Sequence, residues 1–155
     1  MPVALRPMTA EEFERWLPAM RDAYADDIAR NGGGTAEAAR RKAEADVERL
    51  FPGSAPVPEQ LVFVVEADGG PVGDLWLSVR DVDFGRLLWI YDVRIEERHR
   101  GRGYGREAMT LAEVEARRLG LDRVGLNVFG GNKVARGLYR SLGYAENAVF
   151  MTKQV

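Results

Sequence analysis

Cysteine is absent from this 155-residue chain, and histidine occurs once, at position 99. Without thiols there are no disulfides, no thiolate zinc sites and no cysteine nucleophile, and no metal is expected. His99 stands between Arg98 and Arg100, where neighbouring positive charge disfavours its protonated form. That argues against a Ser-His-Asp arrangement and for a solvated loop histidine. No run is apolar and long enough to span a bilayer, and Met1 to Arg6 lacks the basic segment and apolar stretch of a signal peptide. The expectation is a cytoplasmic protein with no membrane partner. An excess of positive charge is also missing: 22 Lys and Arg face 24 Asp and Glu, a formal net charge of -2. Nucleic acid is therefore not attracted globally, and any basic patch must be local.

What is present fits a globular protein, with 46% hydrophobic and 30% charged residues and a length that suits one domain spanning 1–155. Val3 to Arg6 reads as a first strand, and Thr9-Ala10-Glu11-Glu12 has the spacing of a capping box. Pro18 is expected to interrupt that helix, with a second set of turns through Met20, Tyr24 and Ile28. The glycines after Asn31 break the pattern before Thr35 caps a further helix, whose face is Ala36, Ala39, Ala43, Val47 and Leu50 and which ends at Pro52-Gly53. Leu61 to Glu66 is a continuous apolar strand, Asp68-Gly69-Gly70 a hairpin turn, and Val72 to Arg80 the returning strand. A turn near Asp83 to Gly85 leads into Leu87 to Ile95. Strict alternation there puts Trp89, Tyr91, Val93 and Ile95 on one side and Leu88, Ile90, Asp92 and Arg94 on the other. Met109, Ala112, Ala116 and Leu119 form a helical stripe closed by Gly120. Arg123 to Val128 is another strand, Gly130-Gly131-Asn132 caps a helix that ends at Gly143, and Tyr144 to Lys153 supplies one or two terminal strands. The order indicates an α/β domain around a mixed sheet.

The segment Arg100-Gly101-Arg102-Gly103-Tyr104-Gly105-Arg106, between that long strand and the Met109 helix, has the chemistry of an anion cradle. Glycine removes the Cβ atoms that keep a ligand off the backbone, and the first amides of a helix have no intrahelical partner. Three arginines and the helix dipole add positive potential, which suits a diphosphate. A P-loop is ruled out because no Lys-Ser or Lys-Thr follows the glycines. A dinucleotide fingerprint also fails: Glu96 to Arg100 intervenes after the strand, and the next strand ends in Asn127-Val128-Phe129 without an acidic residue for ribose. Simple solvation is the alternative for Arg102 and Arg106. An RNA-binding reading of the cluster lacks interleaved aromatic platforms and a basic domain.

Val93-Arg94-Ile95, four residues, then Arg100-Gly101-Arg102-Gly103-Tyr104-Gly105 resembles the acyl-CoA-binding motif of the GNAT superfamily of N-acetyltransferases. Asn132-x-x-Ala135-x-x-Leu138-Tyr139-x-x-Leu142-Gly143-Tyr144 resembles that family's second signature. The resemblance covers Leu87 to Tyr144. It implies an α/β (α+β) fold with a central mixed, mostly antiparallel sheet of six or seven strands, helices on both faces and a splay between the two central strands. It also implies acetyl transfer from acetyl-CoA to a small-molecule or peptide amine by direct attack in a ternary complex, with a homodimer left open. Coenzyme A contacts then fall on Val93, Arg94, Ile95, Arg100, Gly101, Arg102, Gly103, Tyr104, Gly105, Arg106, Asn127, Asn132, Ala135 and Tyr139. The main-chain groups of Val93 and Ile95 face the thioester and the pantetheine arm.

By the same resemblance Tyr139 is the acid that protonates the leaving thiolate; the other reading is a packed helix tyrosine. A thiolate leaves tolerably well, since an ordinary thiol has a pKa of about 8.5, whereas a lysine-like amine near ~10 must first lose a proton. Asp92 is the candidate base, because a carboxylate in the strand Trp-Ile-Tyr-Asp needs a partner or a task. An ion pair with Arg94 is the alternative, and Glu66 and Asp74 are reserve bases. Asn132 caps its helix and lies beside the cofactor, while Asn127 either bonds pantetheine or satisfies local backbone groups. The acceptor is expected between the Met8 to Phe51 helices and the last strands. There Asp22, Asp26, Asp27, Glu37 and Glu44 either attract a cationic amine or form a solvated helix face. A non-catalytic acyl-CoA sensor and a module for an anionic partner are the rival classes.

Overall fold

A computed structural model describes residues 2–32, 34–83 and 85–155. Gly33 and Phe84, within the expected breaks after Asn31 and Asp83, lie outside the described residues. The chain runs β1 (Ala4–Pro7), α1 (Ala10–Gly32), α2 (Ala36–Leu50), β2 (Gln60–Ala67), β3 (Gly70–Val82), β4 (Gly85–Ile95), α3 (Tyr104–Arg118), β5 (Val124–Leu126) and α4 (Lys133–Ser141). Among the described residues the sheet has five strands in the order β1-β2-β3-β4-β5. Every neighbouring pair is antiparallel except β4 and β5, which are parallel. No helix among the described residues is long and apolar enough to cross a membrane.

Each face of the sheet is covered by helix. Val65, Leu75, Leu77, Leu88 and Ile90 pack with Ala108, Met109, Ala112 and Ala116 of α3. On the other face Phe13, Trp16, Leu17 and Met20 of α1, Val47 of α2 and Phe51 enclose Trp76. The small residues of α3 and of α2, where Ala39 and Ala43 are buried, let the helix backbones lie close to their neighbours. The Thr9 capping box forms as the spacing demands: the Glu12 amide donates to Thr9 Oγ1 at 3.2 Å and the Thr9 amide to Glu12 Oε2 at 2.8 Å.

Four expectations need correction. Pro18 does not interrupt α1, which continues from Ala10 to Gly32. A proline inside a helix costs about 3 kcal/mol, and the buried Phe13, Trp16, Leu17 and Met20 on both sides of it offset that loss. Leu119 is the helix C-cap and is exposed, not part of the buried stripe. β5 keeps only three residues, and Tyr144 to Lys153 forms no strand, so the sheet falls short of six or seven. Finally, strict alternation along β4 holds only to Tyr91. Leu77 pairs with Ile90, but Trp76 pairs with Asp92, so Tyr91 is an extra residue in the ladder.

That bulge changes which face each side chain occupies beyond it. Val93 and Ile95 join Leu88 and Ile90 on the α3 side, whereas Asp92 shares the α1 side with Trp76. Tyr91 itself stacks on Trp76, ring centroids 4.4 Å apart. At the far end of the same ladder Gly73 passes so close to β4 that a Cβ would lie 2.0 Å from the Arg94 carbonyl oxygen. Gly73→Ala is therefore expected to destabilise the protein by about 3 kcal/mol. Gly137→Ala, where a Cβ meets open space inside α4, should stabilise it by about 0.5–1 kcal/mol. Urea unfolding of the two variants checks both signs.

Candidate active site

Among the described residues the β4–β5 ladder pairs Leu88 to Ile90 with Val124 to Leu126 and goes no further along β4. Past that point β4 still pairs with β3 along one edge. The Glu96 amide donates to the Val72 carbonyl at 2.9 Å, and the Arg94 carbonyl crowds Gly73, so both face β3. Since successive residues of a strand point their backbone groups to opposite edges, the main-chain groups of Val93 and Ile95 face the gap that β5 has left. The Ile95 carbonyl accepts a bond from Arg100 Nε at 2.9 Å, which fastens the loop to the strand end.

The loop then turns into α3 through two left-handed residues, Gly101 at φ 76° and Gly103 at φ 85°. Gly103 is the N-cap of α3 and offers no side-chain oxygen. The other helices are capped by Thr9, Thr35 and Asn132. In α3 the first bond runs from the Glu107 amide to the Gly103 carbonyl at 3.1 Å, which leaves the amides of Tyr104, Gly105 and Arg106 without helical acceptors. This helix end lies beside the open part of β4, because a Cβ on Gly105 would touch Ile95 Cγ1 at 3.8 Å and Leu138 Cδ2 at 3.9 Å.

The remaining cradle side chains divide. Arg100, Arg102 and Arg106 are exposed, and Arg106 donates to Ser141 Oγ of α4 at 2.6 Å. Tyr104 points away: its buried ring sits in the α3-side core and its hydroxyl donates to the Asp68 carboxylate at the β2–β3 turn. Only its amide remains for an anion. Asn132 Oδ1 accepts the amide of Ala135, another residue expected beside the cofactor, at 3.2 Å and so caps α4. Asn127 lies beyond the end of β5 and is exposed along the open cleft. His99 is not the solvated residue expected from its arginine neighbours. The turn Glu97–His99 tucks its ring in, with Nδ1 buried and unpartnered and Nε2 3.9 Å from Glu96.

Of the three carboxylates considered as bases, two are committed elsewhere. Glu66 accepts Arg6 Nε at 2.8 Å, and Asp74 accepts the Trp16 indole N–H at 3.1 Å, which ties α1 to the sheet. Asp92 differs because its Oδ2 is buried and makes no hydrogen bond among the described residues. Arg94 Nη2 approaches it only to 3.6 Å, an ion pair beyond hydrogen-bond reach. Burial pushes the Asp92 carboxyl up to about 6; Arg94 opposes this, and the charges of Asp74 and Asp27 reinforce it.

Tyr139 comes from α4 and rests against Tyr144, ring centroids 5.9 Å apart. Burial raises its phenol above the ordinary range, and the nearby Asp92 charge raises it further. Tyr144 was legible only as part of a motif, yet its hydroxyl is buried without a partner and burial takes it up to about 12. Across the cleft stand Tyr24 and Asp27 of α1 and Asp46 of α2, with Trp76, Arg80, Trp89 and Tyr91 along the sheet. Of the five acidic helix residues singled out from the sequence, Asp27 lines this cleft. Glu37 pairs with Arg41, Asp22 approaches Arg21, and Asp26 and Glu44 are exposed. Asp46 was not singled out; it accepts the Tyr24 hydroxyl at 2.9 Å. The guanidinium of Arg80 lies over Trp89, 4.6 Å from the ring centroid.

Comparison with known proteins is consistent along the whole chain. The acetyltransferase (GNAT) family profile matches residues 10–144. Two N-acetyltransferases of Bacillus subtilis (strain 168) align over 156 residues. YycN is 29% identical with 100% of both chains covered, and YdgE is 30% identical with 100% of this chain and 99% of its own covered. The crystal structure of YycN superposes with a TM-score of 0.90 at 28% identity, over 99% of this chain and 98% of that one. The aminoglycoside N-acetyltransferase AAC(6')-Iy, solved in complex with CoA, shares the fold at a TM-score of 0.63 and 16% identity, over 99% and 95% of the two chains.

The electrostatics of Asp92 give a direct test. Its folded pKa lies above the ordinary carboxylate value. Its share of stability is therefore fully present below about pH 4 and is lost as pH rises through about 6. Carbon-13 NMR should find the Asp92 carboxyl titrating near 6, and Arg94→Ala should move it higher because an opposing cation is gone. Asp92→Asn should flatten the fall in stability between those pH values.

Proposed function

The chain belongs to the acetyltransferase (GNAT) family, and from that premise we propose that it moves an acetyl group from acetyl-CoA to an amine by direct attack in a ternary complex. The observation that carries this reading is the uncapped N-terminus of α3 beside the vacated edge of β4. Free amides of Tyr104, Gly105 and Arg106, with Arg100 and Arg102 nearby, suit the diphosphate of coenzyme A. The outward groups of Val93 and Ile95 suit the amides of an extended pantetheine arm, which would take the pairing place that β5 gives up. AAC(6')-Iy binds CoA on the same fold, which supports the cofactor without locating its contacts here.

The chemistry follows from the two titrating side chains. An amine reaching the cleft is ionised at neutral pH and must lose a proton before its nitrogen can attack. Asp92, with its buried and unpaired oxygen and a carboxyl near 6, is deprotonated at pH 7 and accepts that proton, directly or through water. The new C–N bond forms at the thioester carbon. A backbone amide on the open edge of β4 stabilises the oxyanion, an effect commonly worth about 3 kcal/mol. As the C–S bond breaks, Tyr139 gives its phenolic proton to the departing sulfur, and the second proton lost by the newly bonded nitrogen returns through water to restore the phenol. Its raised pKa keeps that proton in place until then. The aromatic wall of Trp76, Trp89 and Tyr91 favours a cationic acceptor, whereas the carboxylates of Asp27 and Asp46 facing it already pair with Arg30, Lys42 and Arg49.

Calorimetry with acetyl-CoA tests the cofactor, and no binding at micromolar protein would refute it. Gly103→Ala forces a side chain into a left-handed residue, and affinity should fall on the order of 10-fold while the fold persists. Thiol release across a panel of amines, amino acids and peptides tests turnover; binding without release would mark a sensor. With an active acceptor, the rate should climb with pH through about 6, as expected for a base that must be ionised. Asp92→Asn should abolish that limb and slow turnover on the order of 10²-fold. Tyr139→Phe should slow turnover with little change in CoA affinity, and an unchanged rate would remove it as the acid.

A further inference from the structure

The cations that line the cleft are mostly answered by carboxylates. Lys42 and Arg49 both hold Asp46, Arg136 and Arg140 both hold Glu146, and Arg94 lies 3.6 Å from Asp92. Arg80 is different: its side chain makes no hydrogen bond and no ion pair among the described residues. The carboxylate next to it in the chain, Asp81, is held by Arg86 Nε at 2.9 Å. Yet Arg80 is half-buried, so its guanidinium has lost part of its water without gaining an anion.

What holds Arg80 is aromatic. Along β3 it follows Trp76 and Ser78 on the α1 side of the sheet, and its diagonal neighbour on β4 is Trp89. The guanidinium lies over that indole, 4.6 Å from the ring centroid, and 5.7 Å from the centroid of Tyr91. A guanidinium laid over rings is positioned through its face, and the N–H groups around its edge remain for a ligand. That planar fork matches the two oxygens of a carboxylate. An arginine fixed in this way and left unpaired is a preorganised anion site at the acceptor end of the cleft.

Its separation from Asp92 sets the length of a molecule that uses both. Trp76 pairs with Asp92, and Arg80 stands four residues further along β3, an offset of about 13 Å. The arginine leans back over Trp89 toward Tyr91, the residue before Asp92, which leaves a gap of roughly 10 Å. A hydrogen bond at each end takes about 3 Å of it. An α-amino acid is too short for the remainder, and a chain of about four methylene groups fits. Tyr91, stacked on Trp76, lies between the two ends and offers apolar surface to such a chain.

We propose that the acceptor is an ω-amino carboxylate, with its carboxylate held by Arg80 and its aliphatic chain along Tyr91, so that the distal amine is delivered to Asp92. The destination of the amine rests on the acetyl-transfer reading; the anion site does not. In the transfer the amine nitrogen bonds to the acetyl carbon as the C–S bond breaks. Of the two protons that the ammonium group loses, one ends on the sulfur of coenzyme A and the other in solvent, and the product is the N-acetylated ω-amino carboxylate.

Thiol release with matched acceptors tests this. δ-Aminovalerate and butylamine differ only by the carboxylate, and wild-type kcat/KM should favour the former on the order of 50-fold, as for a hydrogen bond between charged groups. Equal values overturn the proposal. Glycine should turn over more slowly than δ-aminovalerate, and the reverse order overturns the spacing. In Arg80→Gln the ratio of δ-aminovalerate to butylamine should fall to near one, chiefly through a higher KM for δ-aminovalerate, and Arg80→Lys should restore part of it. A ratio unchanged in Arg80→Gln would show that Arg80 only braces the aromatic wall. If no amine releases thiol, acetyl transfer fails by itself, and calorimetry with δ-aminovalerate decides the anion site. Binding by the wild type and not by Arg80→Gln supports it; no binding at millimolar ligand, or equal binding by both proteins, overturns it.

Discussion

The parting of β4 from β5 is the constraint on which the rest of the site depends. Backbone amides and carbonyls removed from water must be paired, and β4 has a partner along one edge only once β5 turns away after Leu126. The same end of the sheet receives the N-terminus of α3, where Gly103 withholds the side-chain cap present at the other helices. Two rows of unmatched backbone donors thus meet near Ile95 and Gly105. A ligand that is extended and amide-bearing along one part and anionic at its end matches both, which is why the proposed cofactor follows from backbone geometry more than from any side chain.

The bulge at Tyr91 supplies the second half of the arrangement. One additional residue in β4 shifts every later side chain to the opposite face. Asp92 is thereby turned toward α1 and Asp27, while Val93 and Ile95 keep the α3-side core filled. A carboxylate so placed loses water, finds Arg94 too distant for a hydrogen bond and has its pKa pushed up to about 6. Burial, reinforced by the same charge, raises the Tyr139 phenol above its ordinary range. In the proposed reaction this phenol and this carboxyl, with separated pKa values, are the pair that moves two protons in opposite directions.

Much of the framework was legible because it rests on local rules. The capping box at Thr9, the caps Thr35 and Asn132, the alanine faces of α2 and α3 and the hairpin at Asp68-Gly69 are each written within a few residues. The glycine turn that opens α3 was likewise readable, with Gly101 and Gly103 both left-handed. What failed was non-local. Pro18 carries a strong breaking signal, and only the aromatic cluster of Phe13, Trp16, Phe51 and Trp76 overrides it. The direction of the Tyr104 side chain was not readable either, because its hydroxyl meets Asp68, 36 residues away. Strict alternation could not register a bulge, since the extra residue exists only relative to β3.

The sequence by itself determined the element order as far as α4, the helix caps and the glycine turn from Arg100 to Arg106, and with its second signature it indicated the family. These depend on backbone preferences and spacings that act over one or two turns. Tertiary structure alone decided which carboxylate oxygen is buried without a hydrogen bond, which helix amides lack a cap and which phenols burial shifts upward. Burial and partnering are properties of neighbours brought together from distant positions. It also left the strand-like end of the chain without a strand beside it, although that segment's composition reads as an ordinary member of the sheet.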